Sequence, residues 1–338
     1  MEVEVRRGAT VFLTGATGFI GGRLAAALDA RGYRLRCLVR RPERAARLAA
    51  LGAELLVGDV ADRNAVAKGL DGAELAFHVA GRYEFGAVDA RALERANVDG
   101  TRSFLAALRH APVTRAVYVS TTQALGPVQD GEGGEDSEYA GPYPSVYTRT
   151  KVEAHRLARA AQQEGLPVVI VCPSVVYGPG DEGPSGLFIS DVLRHRLPGL
   201  STRPTWFSYV HVDDVVSGMI AAAEVGEAGE TYILSGEHAT VYDFTRMIGQ
   251  LGGTWVSPLR FPPRLVRWTG MLMDRVSPLL GVRLPISREL AEVAGTGARW
   301  LHSHARASAR LGYAPRPLAA GLPETVREVR ERITRLDA

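Results

Sequence analysis

Between residues 9 and 172, six short apolar runs alternate with longer stretches of helical pattern, and no other feature narrows the fold as far. The runs ATVFLT (9–14), LRCLV (35–39), AELLVG (53–58), ELAFHV (74–79), RAVYVS (115–120) and PVVIVC (167–172) read as strands. Helices are predicted from Phe19 to Arg31, Pro42 to Leu51, Asp62 to Leu70, Leu93 to His110 and Ser145 to Gln163. Such alternation builds βαβ units around a parallel sheet. Right-handed crossovers then place helices on both faces, giving a doubly wound α/β fold.

Beyond Cys172 the pattern loosens into Pro- and Gly-rich chain, PSVVYGPGDEGPSG. A helix is expected from Leu187 to Arg196, and FSYVHV and ETYILS read as strands flanking a helix from Asp213 to Val225. Two interleaved units are therefore expected: 1–172 plus about 207–236 as a nucleotide-binding domain, and about 173–206 plus 237–338 as a smaller substrate lobe. The stretch 126–144 (GPVQDGEGGEDSEYAGPYP) reads as a long loop, either a lid or a disordered patch. Forty basic against 37 acidic residues leave a net charge of +3, which gives no footprint for nucleic acid. Cys37 and Cys172 lie in apolar runs and read as buried core residues, not a disulfide framework. No run approaches the ~18 apolar residues of a membrane span, and the N-terminus lacks the apolar core of a signal peptide, so a cytoplasmic protein is expected.

The segment TGATGFIG (14–21) follows the first strand and opens the first helix. Glycines at 15, 18 and 21 let the backbone turn tightly and approach a pyrophosphate, whose charge suits the helix N-terminus. Gly15, Thr17, Gly18, Phe19, Ile20 and Gly21 are therefore candidate dinucleotide contacts. The second strand ends in Arg40 and Arg41, where an acid would hold a ribose 2′-hydroxyl. An arginine there accommodates a 2′-phosphate, so NADP(H) is favoured, with NAD(H) the other possibility.

Tyr147 and Lys151 stand four apart on a predicted helix, hence on one face. A free phenol titrates near ~10, and a cation one turn away favours its ionised form. Only two of the 40 basic residues are lysines. A chain that otherwise uses arginine keeps a compact ammonium here, where a planar guanidinium is no substitute. Ser120, Thr121 and Thr122 end the fifth strand, at the carboxyl edge that faces ligands in an open parallel sheet. Spacing alone does not say which hydroxyl orients a carbonyl.

Taken together, TGATGFIG, GDV (58–60), HVAG (78–81), NVDGT (97–101), VSTTQALG, YTRTK, CPSVVYGPGD and YVHVDDVV resemble an extended short-chain dehydrogenase/reductase. Within that family, part of the NAD-dependent epimerase/dehydratase superfamily, the chain is most similar to the branch of dihydroflavonol reductases and 3β-hydroxysteroid dehydrogenases. The resemblance implies a Rossmann sheet of about seven strands with a small C-terminal α/β substrate lobe. It implies Tyr147 as acid/base residue, Lys151 as a ribose ligand and Thr121 as the catalytic hydroxyl, five residues before Gly126. Asp59 and Val60 would hold the adenine, Val79, Ala80 and Gly81 would pass under the cofactor, and Pro173 and Val175 would contact it. Asn97 would be structural, bridging a helix to the sheet. Tyr83, Thr122, Ser174 and Met271 are substrate candidates. Analogy also suggests a homodimer through the helices near 93–110 and 145–163.

The expected activity is NADP(H)-dependent reduction of a ketone or aldehyde, or the reverse oxidation of the alcohol. A nucleotide-sugar epimerase or dehydratase would use the same three residues with tightly held NAD. Ser174 after Pro173 and Ser208 before Tyr209 depart from the Asn and Arg usual in that group. A catalytically silent NADP-binding regulator is the third reading, weakened by the presence of both Tyr147 and Lys151. In 261–285 an amphipathic stretch carries Leu265, Trp268, Leu272 and Met273 on one face, with Met271 and Val276 alongside, and is expected to wall an apolar pocket. No metal is expected: His211, Asp213 and Asp214 fall in a structural motif, and His302 and His304 have no acids or cysteines nearby. His78 reads as a core histidine.

Overall fold

The computed structural model describes residues 8–83, 89–280 and 291–337, positions 294 and 296 excepted. The N-terminal seven residues and the end of the 261–285 stretch, from 281, lie outside these.

The six predicted strands form as β1 (Thr10–Thr14), β2 (Arg34–Val39), β3 (Glu54–Val57), β4 (Leu75–His78), β5 (Arg115–Val119) and β6 (Val168–Pro173). A seventh, β10 (Thr231–Leu234), pairs parallel with β6 and completes a sheet of order β10-β6-β5-β4-β1-β2-β3. The order reverses between β1 and β4, and doubly wound sheets bind ligands at that crevice. β1 sits in register with both β2 and β4, so the loops after β1 and β4 emerge side by side.

Apolar cores lie on both faces of the sheet. On one, Leu24, Ala25 and Leu28 of α1 (Phe19–Asp29) pack over Val11, Leu13, Leu75 and Phe77. On the other, Phe104 and Leu108 of α5 (Gly100–Leu108) and Ala154, Ala158 and Ala161 of α6 (Val146–Gln163) cover Phe12, Ala76, Tyr118 and Ile170. The small side chains at 154, 158 and 161 let α6 approach the sheet closely. The helix predicted from Leu93 to His110 is made of α4 (Ala90–Glu94), a π turn (Arg95–Asp99) and α5. The segment from Pro42 divides into a 3₁₀ turn (Pro42–Arg44) and a short α2 (Ala46–Ala50); α3 (Arg63–Leu70), α7 (Pro184–Leu193), α8 (Val212–Glu224) and α9 (Val241–Gly252) follow along the chain, with the two-residue strands β8 (Leu200–Ser201) and β12 (Arg260–Phe261).

The C-terminal third differs from expectation at one strand. The run beginning FSYVH, here β9 (Trp206–His211), does not join the large sheet. It pairs with β7 (Val175–Tyr177), β11 (Glu237–Thr240) and β13 (Arg299–Trp300) in a second, four-stranded sheet. Its alternation is compatible with either sheet, and the partners are set by chain that lies far away in sequence. Tyr209, Phe244, Ile248, Leu322 and Val326 form the core beneath it.

The loop 126–144 is tied down. Val128 and Gly133 bridge to Arg299 and His302. Glu135, buried, accepts from the Ile233 amide at 3.3 Å and meets Arg306 at 3.5 Å.

Helix α10 (Pro263–Leu280) buries Gly270, and Arg267 reaches Glu292 at 3.0 Å. Leu265, Trp268, Met271 and Leu272 are all exposed, Trp268 to 56%. The face expected to wall a pocket is thus open to solvent.

Candidate active site

The glycine loop is shaped by contacts that no side chain could share. Gly15 has φ +75°, and a Cβ on it would stand 2.6 Å from the Ala80 amide nitrogen. A Cβ on Gly21 would stand 2.2 Å from the Gly15 carbonyl oxygen. The first glycine therefore lets the β1 loop lie against Val79 and Ala80, and the third lets α1 close over the loop. Gly18 is the N-cap of α1 and supplies no side-chain cap. The first amides of α1 are left for an anion, as a pyrophosphate cradle requires. Thr17 and Gly18 are exposed there, with Phe19 and Ile20 half-buried behind them.

Arg40 is exposed directly after β2, beside Arg41, and no acid stands at that strand end. Asp59 follows β3, accepts from the Ala61 amide at 2.9 Å and has Arg95 at 3.6 Å. Val60 packs where a side chain on Gly100 would fall. After β4 the chain runs through half-buried Val79 and Ala80 to Gly81 and Arg82.

Asn97 ties that loop to the catalytic helix. Its Oδ1 accepts from the Arg82 amide at 2.7 Å, and its Nδ2 donates to the Arg82 carbonyl at 3.2 Å and to Thr150 Oγ1 at 3.0 Å. The π turn gives Asn97 this inward position; such bulges recur at functional sites. His78 is the buried core histidine expected. Thr14 Oγ1 lies 3.0 Å from its Nδ1, Thr101 Oγ1 3.4 Å from its Nε2, and Phe104 stacks on it at 4.6 Å. Burial holds it neutral, its pKa pushed down to about 3.

Ser145 caps α6, its Oγ accepting from the Thr148 amide at 3.0 Å. Tyr147 lies in the first turn, half-buried, and the ring of Tyr83 stands 4.3 Å from its own, tilted. Lys151, one turn on, is only 7% exposed. Its Nζ donates to the Val119 carbonyl at 3.0 Å and lies 5.6 Å from the Tyr118 ring. Burial lowers its pKa to about 8, with the nearby Cys172 a lesser, opposing influence. Thr121, two residues beyond Val119, accepts from the Gln123 amide at 3.3 Å as it caps a 3₁₀ turn (Thr122–Ala124). Thr122 is buried beside it. Pro173 closes β6 and Val175 opens β7. Between them, Ser174 Oγ is buried and has no hydrogen-bond partner among the described residues.

The structure thus gathers the β1 loop, the end of β4, the end of β5, α6 and the β6–β7 junction at one sheet edge. A dinucleotide fits the residues there: the uncapped helix and the side-chain-free cradle suit its phosphates. Met271 lies on the outer face of α10. Sequence reasoning missed Asn97's contact with Thr150 and the role of Val119, because each is a pairing across more than 30 residues.

The histidine and acids of the HVDD segment serve architecture. Asp213 is bound by Arg23 of α1 at 2.7 Å, Asp214 by Arg316 at 2.9 Å, and His211 Nε2 lies 2.9 Å from Glu324. Among the described residues, His211, Asp213 and Glu324 are the one cluster with metal-like geometry, but the two guanidiniums already balance the carboxylates. His304 Nδ1 lies 3.2 Å from Ser235 Oγ. Cys37 and Cys172 are free and buried. No helix among the described residues is long and apolar enough to cross a membrane.

The family model described as NAD dependent epimerase/dehydratase matches residues 11–235. A protein of Methylococcus capsulatus named sterol demethylase protein B is 34% identical over 268 residues, covering 78% of this chain and 81% of its own. A ketoreductase of Stigmatella aurantiaca, named for 4-hydroxy-2-methyl-3-oxo-4-farnesyl-3,4-dihydroquinoline-1-oxide, is 35% identical over 228 residues, covering 66% and 67%. The crystal structure of gox2253 superposes with a TM-score of 0.80 at 32% identity, covering 96% of this chain and 98% of that one.

Proposed function

Because the chain belongs to the NAD dependent epimerase/dehydratase family and is an NAD(P)-dependent enzyme of the short-chain dehydrogenase/reductase type, we propose that it reduces a ketone or aldehyde on a small, largely apolar substrate. NADP(H) is the proposed cofactor, and the alcohol is oxidised in reverse. The observation that carries the reading is the ammonium of Lys151, buried against Val119 at the end of β5 with Tyr147 one turn away on α6.

The nicotinamide, when bound, supplies or accepts the hydride. Thr121 and Tyr147 donate hydrogen bonds to the substrate carbonyl oxygen, and Tyr147 delivers the proton to it. Positioned donors at a developing oxyanion, with a general acid, supply the barrier reduction. Lys151 holds the nicotinamide ribose and stabilises the phenolate that Tyr147 becomes. Arg40 receives the 2′-phosphate, Asp59 and Val60 the adenine, and Pro173 and Val175 line the nicotinamide. Tyr83, Thr122, Ser174 and Met271 contact the substrate.

The sterol and farnesyl compounds in the relatives' names support an apolar substrate. We assign the large sheet with its helices to the cofactor and the second sheet, α10 and the C-terminal helices to the substrate lobe. The proposed assembly is a homodimer through the helices near 93–110 and 145–163.

A panel of apolar ketones, uridine and thymidine diphosphate-sugars tests the reading. Reduction of an apolar ketone with NADPH, lost at least ~100-fold in Tyr147→Phe while NADPH binding persists, is expected. Tight binding of a nucleotide sugar with no ketone turnover would reassign the enzyme to epimerase or dehydratase chemistry. Binding of NADPH with no turnover of any compound would favour the regulator.

A further inference from the structure

Lys151 is not the last polar residue on the catalytic face of α6. Tyr147, Lys151 and His155 follow at intervals of four, so all three side chains lie along one stripe of the helix. His155 is 7% exposed, and its Nδ1 stands 2.8 Å from Ser120 Oγ. Ser120 is itself buried, and its amide donates to the Val171 carbonyl at 2.8 Å, anchoring it to β6. The partners of Lys151 and His155 are therefore neighbours at the end of β5: the Val119 carbonyl and the Ser120 hydroxyl.

Successive side chains of an extended strand point to opposite sides. Thr121 has extended backbone, φ −165° and ψ 152°. The Ser120 hydroxyl faces α6, where His155 meets it, and Thr121 is the next residue of the extended chain. Packing on the sheet and the Asn97–Thr150 bond hold the body of α6, and the two bonds from Lys151 and His155, ~6 Å apart along the helix, fix its register against the strand end.

We infer that His155 is a positioning residue which, through Ser120, locks α6 to the end of β5 and so fixes Tyr147 and Lys151 against Thr121. The inference rests on the proposed roles of those three residues. His155 suits the task because it is neutral: burial, then Arg159, Lys151 and Arg156, hold its pKa down to about 4. A second cation in that place would repel the ammonium of Lys151. Cys172 on β6 also faces this cluster, burial keeping its thiol protonated with a pKa of about 12.

The test uses the full chain, NADPH and a ketone that the wild-type protein reduces. His155→Phe keeps the ring's volume and loses the acceptor, and Ser120→Ala removes the hydroxyl. Each is expected to lower kcat about tenfold while the Kd for NADPH stays within about twofold, because the phosphate cradle is untouched. The double variant is expected to lose no more than either single one. His155→Asn, whose amide reaches the Nδ1 position, is expected to recover most of kcat and covers the case of a poorly folded phenylalanine variant. A kcat within twofold of wild type in Ser120→Ala, multiplying losses in the double variant, or a matching loss of NADPH affinity would overturn the inference.

If the wild-type protein reduces no ketone, the functional reading fails and the clamp is still measured by amide hydrogen exchange of residues 146–151 with NADPH bound. Faster exchange in Ser120→Ala and His155→Phe, with wild-type rates in His155→Asn, supports it. Unchanged exchange sinks it.

Discussion

Replacing Gly15 by alanine separates backbone strain from cofactor geometry. The position has φ +75°, where an L side chain costs ~1–2 kcal/mol. Its new Cβ would also lie 2.6 Å from the Ala80 nitrogen and 2.8 Å from the Ala80 Cα and the Val79 carbonyl carbon. These are backbone atoms, so no side-chain rotation relieves the overlap. Ordinary carbon contacts are ~3.5 Å or more, so the two loops must separate by most of an ångström. They are the loops that meet at the crevice where the cofactor is expected. Gly32 supplies the control: its φ is +81°, but nothing lies within 4 Å of a Cβ there. Gly32→Ala is expected to cost ~1 kcal/mol of stability, about 2 °C in Tm, with unchanged NADPH affinity. Gly15→Ala is expected to cost at least that and to weaken NADPH binding a hundredfold or more, since a pyrophosphate held by backbone amides tolerates little displacement. Isothermal titration of both variants with NADPH, beside thermal melts, checks the pair. If Gly15→Ala binds NADPH within twofold of wild type, the cradle does not hold the cofactor and the reasoning fails.

Arg40→Asp is expected to weaken NADPH ten- to a hundredfold while NADH binding holds or improves, as a charged contact contributes ~1.5–3 kcal/mol; tighter NADH than NADPH binding by the wild-type protein would refute the assignment. The Lys151 ammonium, with its pKa lowered to about 8, is lost as pH rises through that value, so NADPH affinity is expected to fall between pH 7 and 9.5; a flat profile contradicts its role as ribose ligand. Buried His78, His155 and His302 have pKa values near 3, 4 and 4, against 6.5 when unfolded. Their depressed values make the unfolded chain bind more protons, so stability is full above pH 6.5 and falls toward pH 4, by several kcal/mol at ~1.4 per unit. Denaturant midpoints that match at pH 7.5 and 4.5 would show these histidines are not buried neutral.

The sequence by itself determined what depends on neighbours a few residues apart. Strand and helix periodicities announced the parallel sheet; they are properties of local backbone geometry. The three glycines of 15–21 and the four-residue step from Tyr147 to Lys151 are likewise local, and each carries its chemistry in its spacing. The tertiary structure decided every partnership across distant chain. Trp206–His211 could have joined either sheet, because its alternation fits any half-buried surface; β7, β11 and β13 claimed it. Nothing around His155 announces Ser120, 35 residues earlier, and nothing around Lys151 announces the Val119 carbonyl. The amphipathic pattern of α10 gave the direction of neither face: only packing shows that Gly270 is buried while Trp268 is exposed. A periodicity states that two faces differ, and the elements that fold against them decide which one meets water.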